Sequence, residues 1–167
     1  MSGKLAQEIG RVRPFDCLEQ EVFLNVLRTA DHLLRGLEEM LKPHGLSHVQ
    51  YNVLRILRGA GDAGIACKDV GEQMITRDPD ITRLLDRLET RGLLTRTRDT
   101  RDRRVVASRI TGAGLKLLSQ LDEPLLAFHR SQLARVAPEQ LQNAVELLEA
   151  LRGGAADDAV CPEAAAG

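Results

Sequence analysis

Tryptophan is absent from the chain, and one tyrosine with three phenylalanines supplies all of its aromatic surface. A core with so few rings must be built from Leu, Val, Ile and Ala. At an apolar share of 43% over 167 residues, that composition favours packed helices in one domain, with room for an appended oligomerisation element. Cysteine is sparse as well. Cys17, Cys67 and Cys161 stand far apart without a C-x-x-C pair, which excludes a disulfide framework and a thiolate metal site and suits a reducing compartment. No basic segment followed by an apolar run opens the sequence, and no apolar stretch approaches bilayer-spanning length, so a cytoplasmic protein without a membrane partner is expected. Net charge is nearly absent too, at -1, and no whole-molecule field attracts polyanions.

The total conceals an uneven placement. Ten arginines fall between 77 and 109 against six acids, a local excess of four positive charges. The densest stretch is TRTRDTRDRRVV, residues 95–106, with five arginines and two aspartates in twelve positions. A charge run on a helix is usually a solvated face. Five arginines on a short hairpin ask for an anionic partner, although several must pair within the domain with Asp86, Glu89, Asp99 or Asp102.

The periodicity of the apolar residues divides the chain. Residues 1–14 are polar and are expected to be flexible. From Phe15 to Leu41 two apolar stripes keep helical spacing, a surface too wide for one small neighbour, so 15–42 is expected to meet a second chain. KPHG at 42–45 stops that helix, Ser47 caps the next, and RGAGDAG ends it. A short helix follows at 67–74. Over 78–91 the pattern predicts a helix capped by Asp78 with Pro79 in its first turn and closed by Arg91 and Gly92. Ile81, Leu84, Leu85 and Leu88 form its apolar stripe and leave Asp80, Thr82, Arg83, Asp86, Arg87 and Thr90 opposite. Leu93–Arg98 and Arg103–Ile110 then read as a β-hairpin. Thr111 caps a helix reaching about Val136 and kinked at Pro124, a last helix opens at Pro138, and 153–167 has the composition of a disordered tail.

Two short helices, a third with an apolar back and an arginine-bearing front, and an arginine-rich hairpin are the parts of a winged helix-turn-helix. One helix fits the DNA major groove, where base edges are distinguishable, and a neighbouring hairpin reaches the minor groove. The planar guanidinium fork serves both contacts.

The segment ITRLLDRLETRGLLTRTRDTRDRRVVASRITGAG resembles the MarR family of transcription regulators: in its recognition helix, in the D-x-R wing element at Asp102, Arg103 and Arg104, and in ITGAG opening the next helix. GLSHVQYNVLRIL, 45–57, resembles the family's second helix, and the likeness covers roughly 15–152. It implies a mainly α fold in which a winged helix-turn-helix domain, 45–110, sits between an N-terminal dimerisation helix, 15–42, and C-terminal dimerisation helices, 111–152. It further implies a homodimeric repressor whose recognition helices meet successive major grooves of a pseudo-palindromic operator in double-stranded DNA, with half-sites on the order of 34 Å apart. Base contacts map to Thr76, Arg77, Asp80, Thr82 and Arg83, with Arg87 one turn on. The wing arginine that enters the minor groove maps to Arg104, steadied by Asp102, with Arg98, Arg101 and Arg103 beside it. A small aromatic or phenolic effector releasing the operator is also implied, without a residue that identifies its site.

No cofactor or metal is expected. His44 and His48 straddle a helix start, His32 and His129 lie elsewhere, and Cys17 lacks a neighbouring cluster of tyrosines that would favour redox sensing. Nor is an enzyme expected, since no nucleophile motif, glycine-rich phosphate loop or catalytic carboxylate pair is spaced for chemistry. The alternative is a helical protein-interaction module that keeps the winged-helix fold without reading DNA.

Overall fold

The computed structural model describes residues 4–76, 80–98 and 106–153, with the side chain of Arg98 left out. These form two compact units, one up to Leu125 and one from Leu126 onward.

In the first unit, α1 (Lys4–Glu8) precedes the long α2 (Leu18–Leu41), a 3₁₀ turn at Lys42–His44, α3 (His48–Ala60) and a second 3₁₀ turn at Gly61–Ala63. Then come strand β1 (Ile65–Ala66), α4 (Cys67–Gln73), α5 (Ile81–Thr90), strands β2 (Leu94–Arg98) and β3 (Val106–Ile110), and α6 (Gly112–Gln132). The sheet has the order β1-β3-β2 and is antiparallel throughout, with Leu94 opposite Ile110 and Arg98 opposite Val106. The fold is mainly helical, and its three helices followed by a hairpin are a winged helix-turn-helix, as the sequence predicted.

Leucine carries the core. Leu41, Leu54, Leu57, Leu85, Leu88, Leu94, Leu118 and Leu121 are fully buried and join helices α2, α3, α5 and α6 to the sheet. Each such side chain contributes about 1.5–3 kcal/mol of transfer free energy. Val53 and Val70 fill the space between α3 and α4.

Local signals place the helices. The Ser47 hydroxyl accepts from Gln50 N–H at 3.2 Å while the Gln50 side chain accepts from Ser47 N–H at 3.1 Å, a reciprocal capping box. Thr111 caps the start of α6 by accepting from Gly114 N–H at 3.1 Å, and its hydroxyl donates to Gly92 O at 2.7 Å. The cap of α5 differs from expectation. Asp80, two residues past the expected Asp78, accepts from Arg83 N–H at 3.2 Å, and the helix begins at Ile81. A carboxylate there satisfies the orphan N–H three residues on, which is the capping geometry.

The N-terminal segment also departs from the flexible chain expected over 1–14. Helix α1 buries Leu5 and Ala6, and Glu8 lies 4.0 Å from Arg28 of α2. Arg11 then ties the following turn down, donating to Arg13 O at 3.0 Å and Pro14 O at 3.2 Å while its guanidinium lies 4.9 Å from the Phe15 ring centroid. The two apolar residues buried by α1 sit within a polar composition, which masked them. The long helix starts at Leu18 rather than Phe15.

The second unit contains the end of α6 and helix α7 (Pro138–Gly153). Pro124 lies inside α6, which ends at Gln132, short of the expected 136. No residue of α7 is buried, and Val145, Leu147, Leu148 and Leu151 are exposed.

Candidate nucleic-acid interface

Helix α5 turns Leu84, Leu85 and Leu88 into the core, and this fixes which side chains face outward. Thr82, Arg83, Asp86, Arg87 and Thr90 are all exposed, as the apolar stripe predicted. Arg83 has 78% of its side chain accessible, and it is held in place: its Nε lies 3.1 Å from Asp80 Oδ2. The cap residue therefore accepts from the Arg83 amide and forms an ion pair with its guanidinium. Arg87, one turn further along the same outer face, also lines an open groove of about 620 Å³ with Gly45, Gln50, Asp86, Thr90 and Arg91.

Thr76 is exposed at the turn between α4 and α5. Asn52 of α3 anchors that turn by accepting the Ile75 N–H through its side-chain oxygen at 2.9 Å. Arg77, Arg101, Asp102, Arg103 and Arg104 lie outside the described residues, as do Asp78 and the hairpin tip; Arg98 is placed by its backbone at the end of β2.

Three arginines of the basic stretch are bound inside the fold. Arg96 donates from its backbone N–H and from Nε to the two oxygens of Glu89, at 3.0 and 2.8 Å, and its Nη2 reaches Glu89 and Asp86. These bonds hold the Glu89 carboxyl below its usual range and raise the Arg96 guanidinium further. Arg91 donates to Gly45 O at 2.6 Å and His44 O at 3.2 Å, grasping the turn that ends α2. Arg109 donates to Asp62 O at 2.8 Å and Ala63 O at 3.2 Å, and also reaches the Thr97 hydroxyl. The expected internal pairing of Asp86 and Glu89 is thus present, and one arginine accounts for both.

Sequence reasoning did not single out Arg91, Arg96 and Arg109 as internal ties. The signal for Arg96 was an acid seven residues earlier on the preceding helix, where α5 and β2 fold back on each other. Nothing in periodicity marks the carbonyl partners of Arg91 and Arg109, because a carbonyl is offered by every residue. Outside the basic stretch, Arg58 of α3 makes a two-point pair with Asp122 of α6, at 2.8 and 2.9 Å. The hydrogen bond from Arg58 keeps the Asp122 carboxyl below its usual range.

Of the other groups considered, His48 contacts Glu38 at 2.8 Å, Cys17 is exposed and Cys67 half-buried. Among the described residues no cluster of three or more His, Cys, Asp or Glu is placed to hold a metal ion, and no helix is long and apolar enough to cross a membrane.

A family model described as MarR family matches residues 46–106, from the entry to α3 to the first residue of β3. Over 81% of its length the chain is 43% identical to a MarR transcription factor from Planctomyces limnophilus, 98% of which is covered, and the two structures align with a TM-score of 0.64. The chain belongs to the MarR family of transcription regulators. It is also 25% identical over 129 residues to the HTH-type transcriptional regulator MhqR of Bacillus subtilis, covering 77% of this chain and 88% of that one. A mutant MarR from Escherichia coli, solved in complex with operator DNA, shares the fold at 23% identity and a TM-score of 0.71, over 82% of this chain and 99% of that one. The MarR resemblance thus holds through sequence and fold alike.

Proposed function

We propose that this chain is a dimeric, sequence-specific DNA-binding repressor that leaves its operator when a small aromatic or phenolic effector binds. The observation that carries this reading is the presentation of Arg83, capped and aligned by Asp80 on the outer face of a helix whose other side is buried. Thr76, Thr82 and Arg87 border it, and Arg77 and the wing residues Arg98, Arg101, Asp102, Arg103 and Arg104 complete the contact set. In this reading residues 45–110 read DNA, α5 enters the major groove and Arg104 the minor groove.

The dimer is supported by apolar surface that each unit leaves exposed. In α2 these are Leu18, Phe23, Val26 and Leu27, and in α7 Val145, Leu147, Leu148 and Leu151. Exposed leucine-rich stripes of this extent mark a protein partner, and a second copy gives two recognition helices one helical turn apart on DNA. Segments 15–42 and 111–152 are then the dimerisation elements.

The test begins with molar mass in solution and selection of bound duplexes from a random DNA pool. Binding to the selected duplex is then followed by fluorescence anisotropy over a salt series. Arg104→Ala weakens binding to all duplexes and lowers the salt slope by about one, whereas Arg83→Ala changes which duplexes are preferred. A monomer, or equal binding to every duplex, would overturn the reading and favour a protein-interaction module.

A further inference from the structure

Among the described residues, the exposed large apolar side chains fall on α2, α6, α7, the short connection after α6 and the N-terminal segment, with one exception. Among the described residues between Leu41 and Gly112, Ile75 alone is such a side chain, at 85% accessible surface. Its neighbour Met74 is 8% exposed and belongs to the core, so the chain turns outward between the two. Its backbone is also fixed, since the Ile75 N–H donates to Asn52 Oδ1 on α3 at 2.9 Å. The next described residues along the chain that face solvent are polar: Thr76, Asp80, Thr82 and Arg83. A β-branched side chain with few rotamers, anchored at the turn that leads into the recognition helix, is a rigid apolar knob within a polar contact surface.

We infer that Ile75 is a specificity-determining residue that packs against a thymine C5-methyl group in the major groove, an inference that rests on the DNA-binding reading above. The thymine methyl is the apolar feature that base pairs present in that groove, and aliphatic contact with it distinguishes thymine from every other base edge. Arg83 offers charged and polar contacts, and the methyl of Thr76 or Thr82 is a smaller apolar surface than the side chain of Ile75, so the Ile75→Ala variant separates the two sources. Ile75 sits at the position where the two helices of the motif meet, from which the polypeptide enters the groove.

The experiment uses the full chain and the duplex it selects from a random pool. Each thymine of one half-site is replaced in turn by deoxyuridine, which removes the methyl and keeps base pairing. At one thymine the replacement weakens wild-type binding about three- to tenfold. Ile75→Ala weakens binding to the unmodified duplex by a similar factor and is insensitive to the same replacement; Ile75→Val retains part of the sensitivity. Unchanged thermal unfolding of both variants confirms that the fold is intact, as expected for so exposed a side chain. Equal tolerance of deoxyuridine at every thymine by the wild type overturns the inference and leaves the DNA-binding reading standing. An Ile75→Ala variant that keeps the wild-type sensitivity overturns it equally. Failure of the wild type to select any duplex overturns both.

Discussion

Arg96 on β2 and Glu89 on α5 are joined through three hydrogen bonds, two from the guanidinium and one from the Arg96 backbone N–H. The first wing strand is thereby fastened to the recognition helix by a side chain and by the main chain at once. A second acid, Asp86, is drawn into the same guanidinium, so the outward acids of α5 are neutralised from within the fold.

Arg96→Ala is therefore expected to cost about 1–2 kcal/mol of stability, the scale of a partly buried two-point ion pair. It also leaves Asp86 and Glu89 uncompensated on the outer face of α5, so under the proposed DNA-binding function affinity for duplex falls at low salt by more than the loss of one surface charge. Chemical denaturation and anisotropy together check this. The double exchange Glu89→Arg with Arg96→Glu restores more stability than either single change retains, whereas additive losses would reject a direct pairing.

Acid should act through Glu89 and Asp122. Both carboxyls are held below their ordinary values, 4.5 and 3.8, chiefly by hydrogen bonds from Arg96 and Arg58. A depressed carboxyl stabilises the folded state fully above its unfolded value and loses that contribution as pH falls through the lower folded value. Urea denaturation should give a constant gap between wild type and Asp122→Asn from about pH 7 to pH 5, closing below about pH 4. A gap independent of pH down to the acid limit would show that the charge of Asp122 is immaterial.

Two glycines of α6 are predicted to respond with opposite signs. A Cβ on Gly114 would lie 2.4 Å from Leu93 O and 2.7 Å from Ile110 Cγ1, and the first of these is backbone that cannot step aside. Gly114→Ala is expected to cost about 2 kcal/mol or more, well beyond the gain in helix propensity. At Gly112 a Cβ meets nothing within 4 Å. Gly112→Ala should stabilise by about 0.5 kcal/mol through the unfolded chain. Thermal unfolding of the two variants side by side is sufficient, and a shift of the same sign in both would refute the packing argument.

Ser108, in the middle strand of the sheet, is fully buried, and its hydroxyl finds no hydrogen-bond partner among the described residues. An unsatisfied buried hydroxyl costs about 1–3 kcal/mol, so Ser108→Ala is expected to be neutral or to raise the unfolding midpoint. A drop in the midpoint of several degrees would mean that the hydroxyl is engaged.

Much of this architecture was legible in the sequence because its signals are local. The leucines at 84, 85 and 88 dictate which face of α5 is buried, and Ser47 and Thr111 each close a ring with an amide three residues on. The cap at Asp80 was misplaced because Asp78 and Asp80 carry the same group, and only backbone geometry decides which carboxylate reaches an orphan N–H. The role of Arg96 depended on two elements folding together, and that of Arg91 on a carbonyl 46 residues away in the chain. Composition counted these as part of one basic cluster, whereas the fold sorts them into side chains that bind the protein and side chains free to bind something else. Ile75 carried no signal at all in periodicity, since a lone isoleucine beside a methionine reads as core.

The grip of Arg91 on the turn at 42–45 ties the last turn of the recognition helix to the root of the longest helix in the molecule. The same helix is also held by Leu84, Leu85 and Leu88 in the core and by the bonds of Glu89 to β2, so a shift of the turn at 42–45 reaches α5 as one body.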